Sequence, residues 1–171
     1  MFKGASTEQT APRWSVVGGL AAAVLSAALG SRAATEDAVP YPEGYRQWTH
    51  VSSTYVGPQS AGFEKNGGLH HIYANQHAME GYRTGRFPAG SVIVADFLQP
   101  RENDGVVTDG PRRRLDVMLK DGASASGGWR YEQFKGDSRT ERLVTPEIAA
   151  RCVACHTQRK EKDFVFSSLR Q

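Results

Sequence analysis

Residues 91–98, SVIVADFL, and 114–120, RLDVMLK, decide the fold class. Successive side chains of a strand point to opposite faces, so Val92, Val94 and Leu98 share one side, as do Leu115, Val117 and Leu119. Outward from these, 48–56, 68–74 and 128–134 have the same make-up of β-branched and aromatic residues bounded by Gly, Pro, Asn and Asp. With no βαβ rhythm between them, the strands predict a mainly β protein: an antiparallel sheet or sandwich with a few short helices at its edge. Asn75 is placed to cap one helix, QHAMEGYRT, which Gly85 would end in a left-handed conformation. Thr145 caps another, with Pro146 in its first turn and Glu147 favouring the dipole, and this C-terminal helix runs on through IAARCVACHTQRK.

A chain of 171 residues suits one domain with a real core. Lys3, Arg13 and Arg32 against Glu8 give the first 34 residues +2 of the chain's formal +3, so the remainder is nearly balanced. That balance, and the lack of a basic stripe interleaved with aromatics, argues against a nucleic-acid partner. The one basic run, Arg112-Arg113-Arg114, reads as a solvated strand start. Residues 14–30, WSVVGGLAAAVLSAALG, follow a short positive segment and precede small residues at Ser31, Ala33 and Ala34. Residues 1–34 thus read as a secretory signal peptide, with an uncleaved membrane anchor as the alternative, and 35–171 as one domain on the export side, periplasmic in a bacterium.

The chemistry lies in Cys152-Val153-Ala154-Cys155-His156. On a helix, positions i, i+3 and i+4 share a face, so two thiols and an imidazole point at one flat object. Two thiols at that spacing suit addition to the vinyl groups of one haem, with His156 ligating its iron. A redox dithiol would want a strand-helix βαβ setting and zinc would want further ligands; a disulfide between the only two cysteines would leave His156 unexplained. The expectation is therefore one haem c, held covalently by Cys152 and Cys155, with His156 as axial ligand. The sixth iron position stays open to Met118, Met79, His50, His70, His71, His77 or vacancy. His70 and His71, adjacent on a strand, must face opposite sides, and Met79 on a helix and Met118 in a strand are more often core filler than ligands.

From these residues the chain resembles the cytochrome P-460 family, which includes the β-sheet cytochromes c-prime. The matching stretches are YPEGYRQWTHV at 41–51, GGLHHIYAN at 67–75, GYRTGRFPAGSVIV at 81–94, DVMLKD at 116–121, GGWRYEQFKGDS at 127–138, CVACH, and DFVFS at 163–167. The resemblance implies an antiparallel β fold, a homodimer, and a haem whose distal side is often open. Some members oxidise hydroxylamine and carry a lysine cross-linked to the haem; the β-sheet cytochromes c-prime lack it and bind nitric oxide or carbon monoxide. In this alignment Ala95 stands where the lysine would, so hydroxylamine oxidation is not carried over. The nearest lysine, Lys120, reads as an exposed strand end. Asp116 falls where hydroxylamine-oxidising members have a carboxylate and His70 where they have a basic residue, which makes both candidates for distal catalytic roles. The alternative for Asp116 is a solvent-facing or Arg114-paired side chain.

Two functional classes follow. One is an exported cytochrome that passes electrons to a redox partner protein or holds a small ligand such as nitric oxide; the other is a haem oxidoreductase acting on small nitrogen compounds or peroxide. A structural β domain with a Cys152–Cys155 disulfide is the third reading.

Overall fold

The computed structural model describes residues 38–122 and 126–169, together with Met1 and Gly4. Apart from those two residues, the expected signal peptide at 1–34 lies outside the described residues. Five strands, β1 (Thr49–Val56), β2 (Gly68–Ala74), β3 (Val92–Asn103), β4 (Val106–Lys120) and β5 (Trp129–Lys135), form one sheet in the order β1-β2-β3-β4-β5. Every neighbouring pair is antiparallel. Of the two forms expected, the protein takes the single sheet. Its two faces are covered by α1 (Phe63–Asn66), α2 (Gln76–Thr84), α3 (Pro146–Thr157) and the segments 38–48 and 163–169.

Residues paired directly across antiparallel strands share a face, so the register divides the sheet in two. One face carries the rows His70–Phe97–Arg114, Ile72–Ala95–Asp116–Gln133 and Ala74–Ile93–Met118–Tyr131. Its inner end packs on Ala78, Phe87, Phe164 and Val165, burying Trp129 and Ile93. The other face carries Val94, Leu115, Val117 and Phe134, each at most 1% exposed, covered by Val39, Tyr45 and their neighbours. Each such burial is worth roughly 1.5–3 kcal/mol. Because both faces of β3 and β4 are covered, VIV is a continuous apolar run rather than a strict alternation.

Local chemistry sets the joints as expected. Asn75 accepts from the Ala78 N–H at 2.9 Å to start α2, while its side chain also bonds Val92 N and Gly90 O, stitching helix to strand. Gly85 closes α2 at φ 80°. Thr145 accepts from Ile148 N above Pro146, starting α3 where the sequence placed it.

Two expectations are corrected here. The β3–β4 hairpin reaches beyond residues 98 and 114 to an Asp104-Gly105 turn, both residues at positive φ as such a two-residue turn requires. Arg112-Arg113-Arg114 is thus mid-strand, not a strand start. Arg112 is 8% exposed and its Nε donates at 2.6 Å to Asp96, itself 1% exposed. Tyr45 Oη and Arg46 complete the Asp96 shell at 2.6 and 3.1 Å. Burial alone would raise the Asp96 pKa, yet the hydrogen bonds and charge around it bring it below the ordinary value.

Removing one member of a buried pair leaves the other charge uncompensated. Asp96→Asn should therefore lose about 3 kcal/mol in urea denaturation at neutral pH. The folded-state pKa lies below the unfolded one, so this contribution is complete above the unfolded pKa and is lost as pH falls through the folded value. The gap between wild type and variant should close on acidification only.

Candidate functional site

Helix α3 lies against β5, on the sheet face that carries Asp116 and Tyr131. The His156 ring meets the Tyr131 ring at 4.8 Å and the Phe166 ring, edge on, at 5.1 Å. Its Nδ1 is 2.7 Å from the Phe164 carbonyl oxygen. A carbonyl only accepts, so Nδ1 carries the proton and donates. Burial lowers the His156 pKa, against a smaller opposite effect of this bond, so the ring is neutral near pH 7 and Nε2 keeps its lone pair. Cys152, half-buried, and Cys155, exposed, are both free thiols on the same helix.

The turn that presents Phe164 is unusual. Asp163 and Phe164 sit consecutively in the left-handed region, at φ 50° and 66°, which costs about 1–3 kcal/mol for each side-chain-bearing residue. Opposing that cost, the Asp163 carboxylate accepts from Phe87 N and Lys120 Nζ, each at 2.8 Å, and its carbonyl accepts from Trp129 Nε1 at 2.8 Å. Lys120 is therefore not the exposed strand end expected from its LKD setting. Its side chain is 12% exposed, paired with Asp163 and lying over the Trp129 ring. Gly127, at φ 68°, leaves the room that Phe164 fills; a Cβ there would overlap the ring.

Outward along the same face, the expected distal residues form a connected group. Arg114 Nε donates to Asp116 at 2.8 Å while its guanidinium lies 3.8 Å over the Phe97 ring, and Phe97 meets the His70 ring at 4.1 Å. Arg114 also bonds Lys65 O and Asn66 Oδ1, and His70 Nε2 donates to Asn66 O, so α1 closes this end. Asp116 is paired with Arg114, but it faces the α3 side rather than open solvent. Burial raises its pKa, with Arg114 opposing, and its charge in turn helps raise the Cys152 pKa after burial itself. His70 is held neutral by burial and by Arg114. Ile72 and Ala95 continue the row beside Asp116 as an apolar floor.

Of the other sixth-ligand candidates, two are hydrogen-bonded, one is exposed and two are packed in or against the core. His71 Nε2 donates to Asp109, Ser53 bridges His71 Nδ1 and His50 Nε2, and His71 is on the opposite face from His70. His77 is exposed beside Gly90. Met118 is in the core with Phe164 and Trp129, and Met79 packs against that core. Sequence reasoning missed Phe97, Asn66, Tyr131 and Asp163. Tyr131 and Asp163 lie in two of the stretches that carry the resemblance, GGWRYEQFKGDS and DFVFS, but nothing in the sequence pairs either with His156.

The family model for cytochrome P460 matches residues 42–167, from the first turn of the domain to the segment that follows α3. The chain belongs to the cytochrome P460 family. A comparison with curated proteins finds no match. Cytochromes P460 bind haem, and the residues present fit such a group. His156 offers an unprotonated Nε2, and two unbridged thiols share its helix. Tyr131 Oη, next to those thiols, is buried without a hydrogen-bond partner among the described residues. Among the described residues no cluster of three or more His, Cys, Asp or Glu could hold a bare metal ion, whereas a porphyrin iron asks only one axial ligand of the protein.

Gly127→Ala should combine backbone strain with a clash against Phe164 and lose about 2–3 kcal/mol. Gly105→Ala has positive φ but nothing within 4 Å of the added Cβ, and should lose about 1 kcal/mol. Urea denaturation of both reads the difference.

Proposed function

We propose that this chain is an exported, periplasmic monohaem c-type cytochrome, its haem held through thioethers from Cys152 and Cys155 and through His156 Nε2 to the iron. The observation that carries this reading is the Nδ1 bond to Phe164, which leaves Nε2 free beside two unpaired thiols. The haem would supply a redox-active iron; the chain would supply its attachment, an axial imidazole and, on the same sheet face, the mixed surface of Ile72, Ala95, Asp116 and Phe97. We place it with members that bind a small diatomic ligand such as nitric oxide at an open sixth position, or pass electrons to a partner protein. Support for an open position comes from the engagement of the candidate ligands: His50 and His71 with each other through Ser53, and His70 with Asn66. Ile72, Ala95 and Phe97 suit a ligand with little charge. Ala95 has no amine to bond a haem edge, and Lys120, on the same face, is tied to Asp163.

The ferrous spectrum of protein made in an export-competent host with haem-attachment machinery tests this. Broad high-spin bands that shift on adding carbon monoxide or nitric oxide are expected. Sharp split bands before any ligand is added would contradict an open site. Loss of either thiol, Cys152→Ala or Cys155→Ala, should leave haem attached through one thioether at most.

A second reading, peroxide or nitrogen-oxide chemistry, is favoured by Asp116, whose burial raises its pKa on this same face. If Asp116 moves a proton, Asp116→Ala should slow the reaction with peroxide by about 10²-fold or more while nitric oxide affinity stays within twofold. Equal peroxide rates in variant and wild type would remove this reading.

A further inference from the structure

We propose that Asp163 is a positioning residue for the proximal histidine, setting through the Phe164 carbonyl how strongly His156 donates electrons to the iron. This rests on the haem reading above and adds a residue to it.

A carbonyl can accept from His156 Nδ1 only if the chain after α3 turns back under the imidazole. The one-turn helix Lys160–Lys162 begins that turn, and the left-handed pair Asp163–Phe164 completes it. Neither residue is glycine, so the pair needs contacts that over-determine it. They converge on Asp163 from three separate elements. Phe87 N, just after α2, reaches Oδ2; Lys120 Nζ, at the end of β4, reaches Oδ1; Trp129 Nε1, at the start of β5, reaches the main-chain oxygen. The following peptide is held as well, since Phe164 N donates to Arg159 O at 2.8 Å. Asp163 is 6% exposed and Phe164 equally so. The Phe164 carbonyl thus has one place to point.

The chemical consequence follows from the tautomer. A firm Nδ1–H···O=C bond gives the imidazole partial anionic character and makes Nε2 a stronger donor, which favours the ferric state. Releasing the carbonyl weakens that donation and raises the midpoint potential. Asp163 touches neither ring nor iron, so its effect must travel through the Phe164 peptide.

The test uses haem-loaded protein and reads the midpoint potential together with the iron–histidine stretching band of the ferrous form. Asp163→Ala should raise the potential and lower the band frequency. Asp163→Asn, which tolerates the left-handed region and can still accept from Phe87 N, should move both less. Trp129→Phe removes the bond to the Asp163 carbonyl while keeping an aromatic ring beside Phe87 and Lys120, and should shift both in the same direction, so the proposal stands or falls on it if Asp163→Ala does not fold. Asp96→Asn removes another buried carboxylate, on the opposite face, and should leave both readouts unchanged. Loaded Asp163→Ala and Trp129→Phe proteins with wild-type potential and band, whatever their melting temperatures, would overturn the role while leaving the haem reading intact. A wild-type chain that carries no haem would instead overturn the reading on which it rests.

Discussion

A 2.7 Å hydrogen bond from His156 Nδ1 to the Phe164 carbonyl ties the CxxCH helix to the loop that follows it. Through that loop the helix is tied to the sheet, because Asp163 and Phe164 are gripped by Lys120 and Trp129 at the neighbouring ends of β4 and β5. The helix would otherwise have little to hold it: no residue of α3 is fully buried. Its place comes from this bond, the ring contacts of His156 and a capped start at Thr145. One constraint therefore does two jobs, fixing the tautomer that frees Nε2 and fixing where Nε2 lies relative to the sheet.

The sheet divides its labour by face. On one side, aliphatic and aromatic packing under the 38–48 segment is pinned by the Asp96, Arg112 and Tyr45 cluster. On the other, the inner end is core and the outer end is a graded surface. It runs from Tyr131 beside the thiols, through Ile72, Ala95 and Asp116, to the Phe97 ring held between His70 and Arg114. Arg114 joins the acid and the aromatic ring in one group, which keeps the Asp116 carboxylate partnered while its pKa is raised by burial. With an alanine at 95 and Lys120 paired to Asp163, this cytochrome P460 chain offers no free amine at either place.

Local signals were readable in the sequence because local physics decides them. Asn75 and Gly85 bound α2, Thr145 and Pro146 start α3, and alternation placed Leu115, Val117 and Leu119 on one face. The outer hairpin was missed because its residues, QPREN and VVTDGPRR, are polar and carry two prolines; they pair through the backbone, around bulges near Leu98 and Pro100. Asp104-Gly105 was the available clue. Arg112 and Lys120 looked solvated because their partners, Asp96 and Asp163, are distant in sequence or follow the motif. For the site, the CxxCH motif is visible in the sequence and the resemblance points to Asp116 and His70, while the strand register is what puts those two on one face. The network through Asn66 and Arg114, and the Asp163 clamp, could not, since each depends on contacts that only the folded sheet brings together.

The central claim is that this chain carries one haem bonded through Cys152 and Cys155, with His156 below it. The most direct measurement is the intact mass of the exported protein under denaturing conditions that strip any haem held by coordination alone. The account predicts one haem retained per chain. A bare polypeptide mass, from a host that attaches haem to a control c-type cytochrome in the same culture, would contradict it.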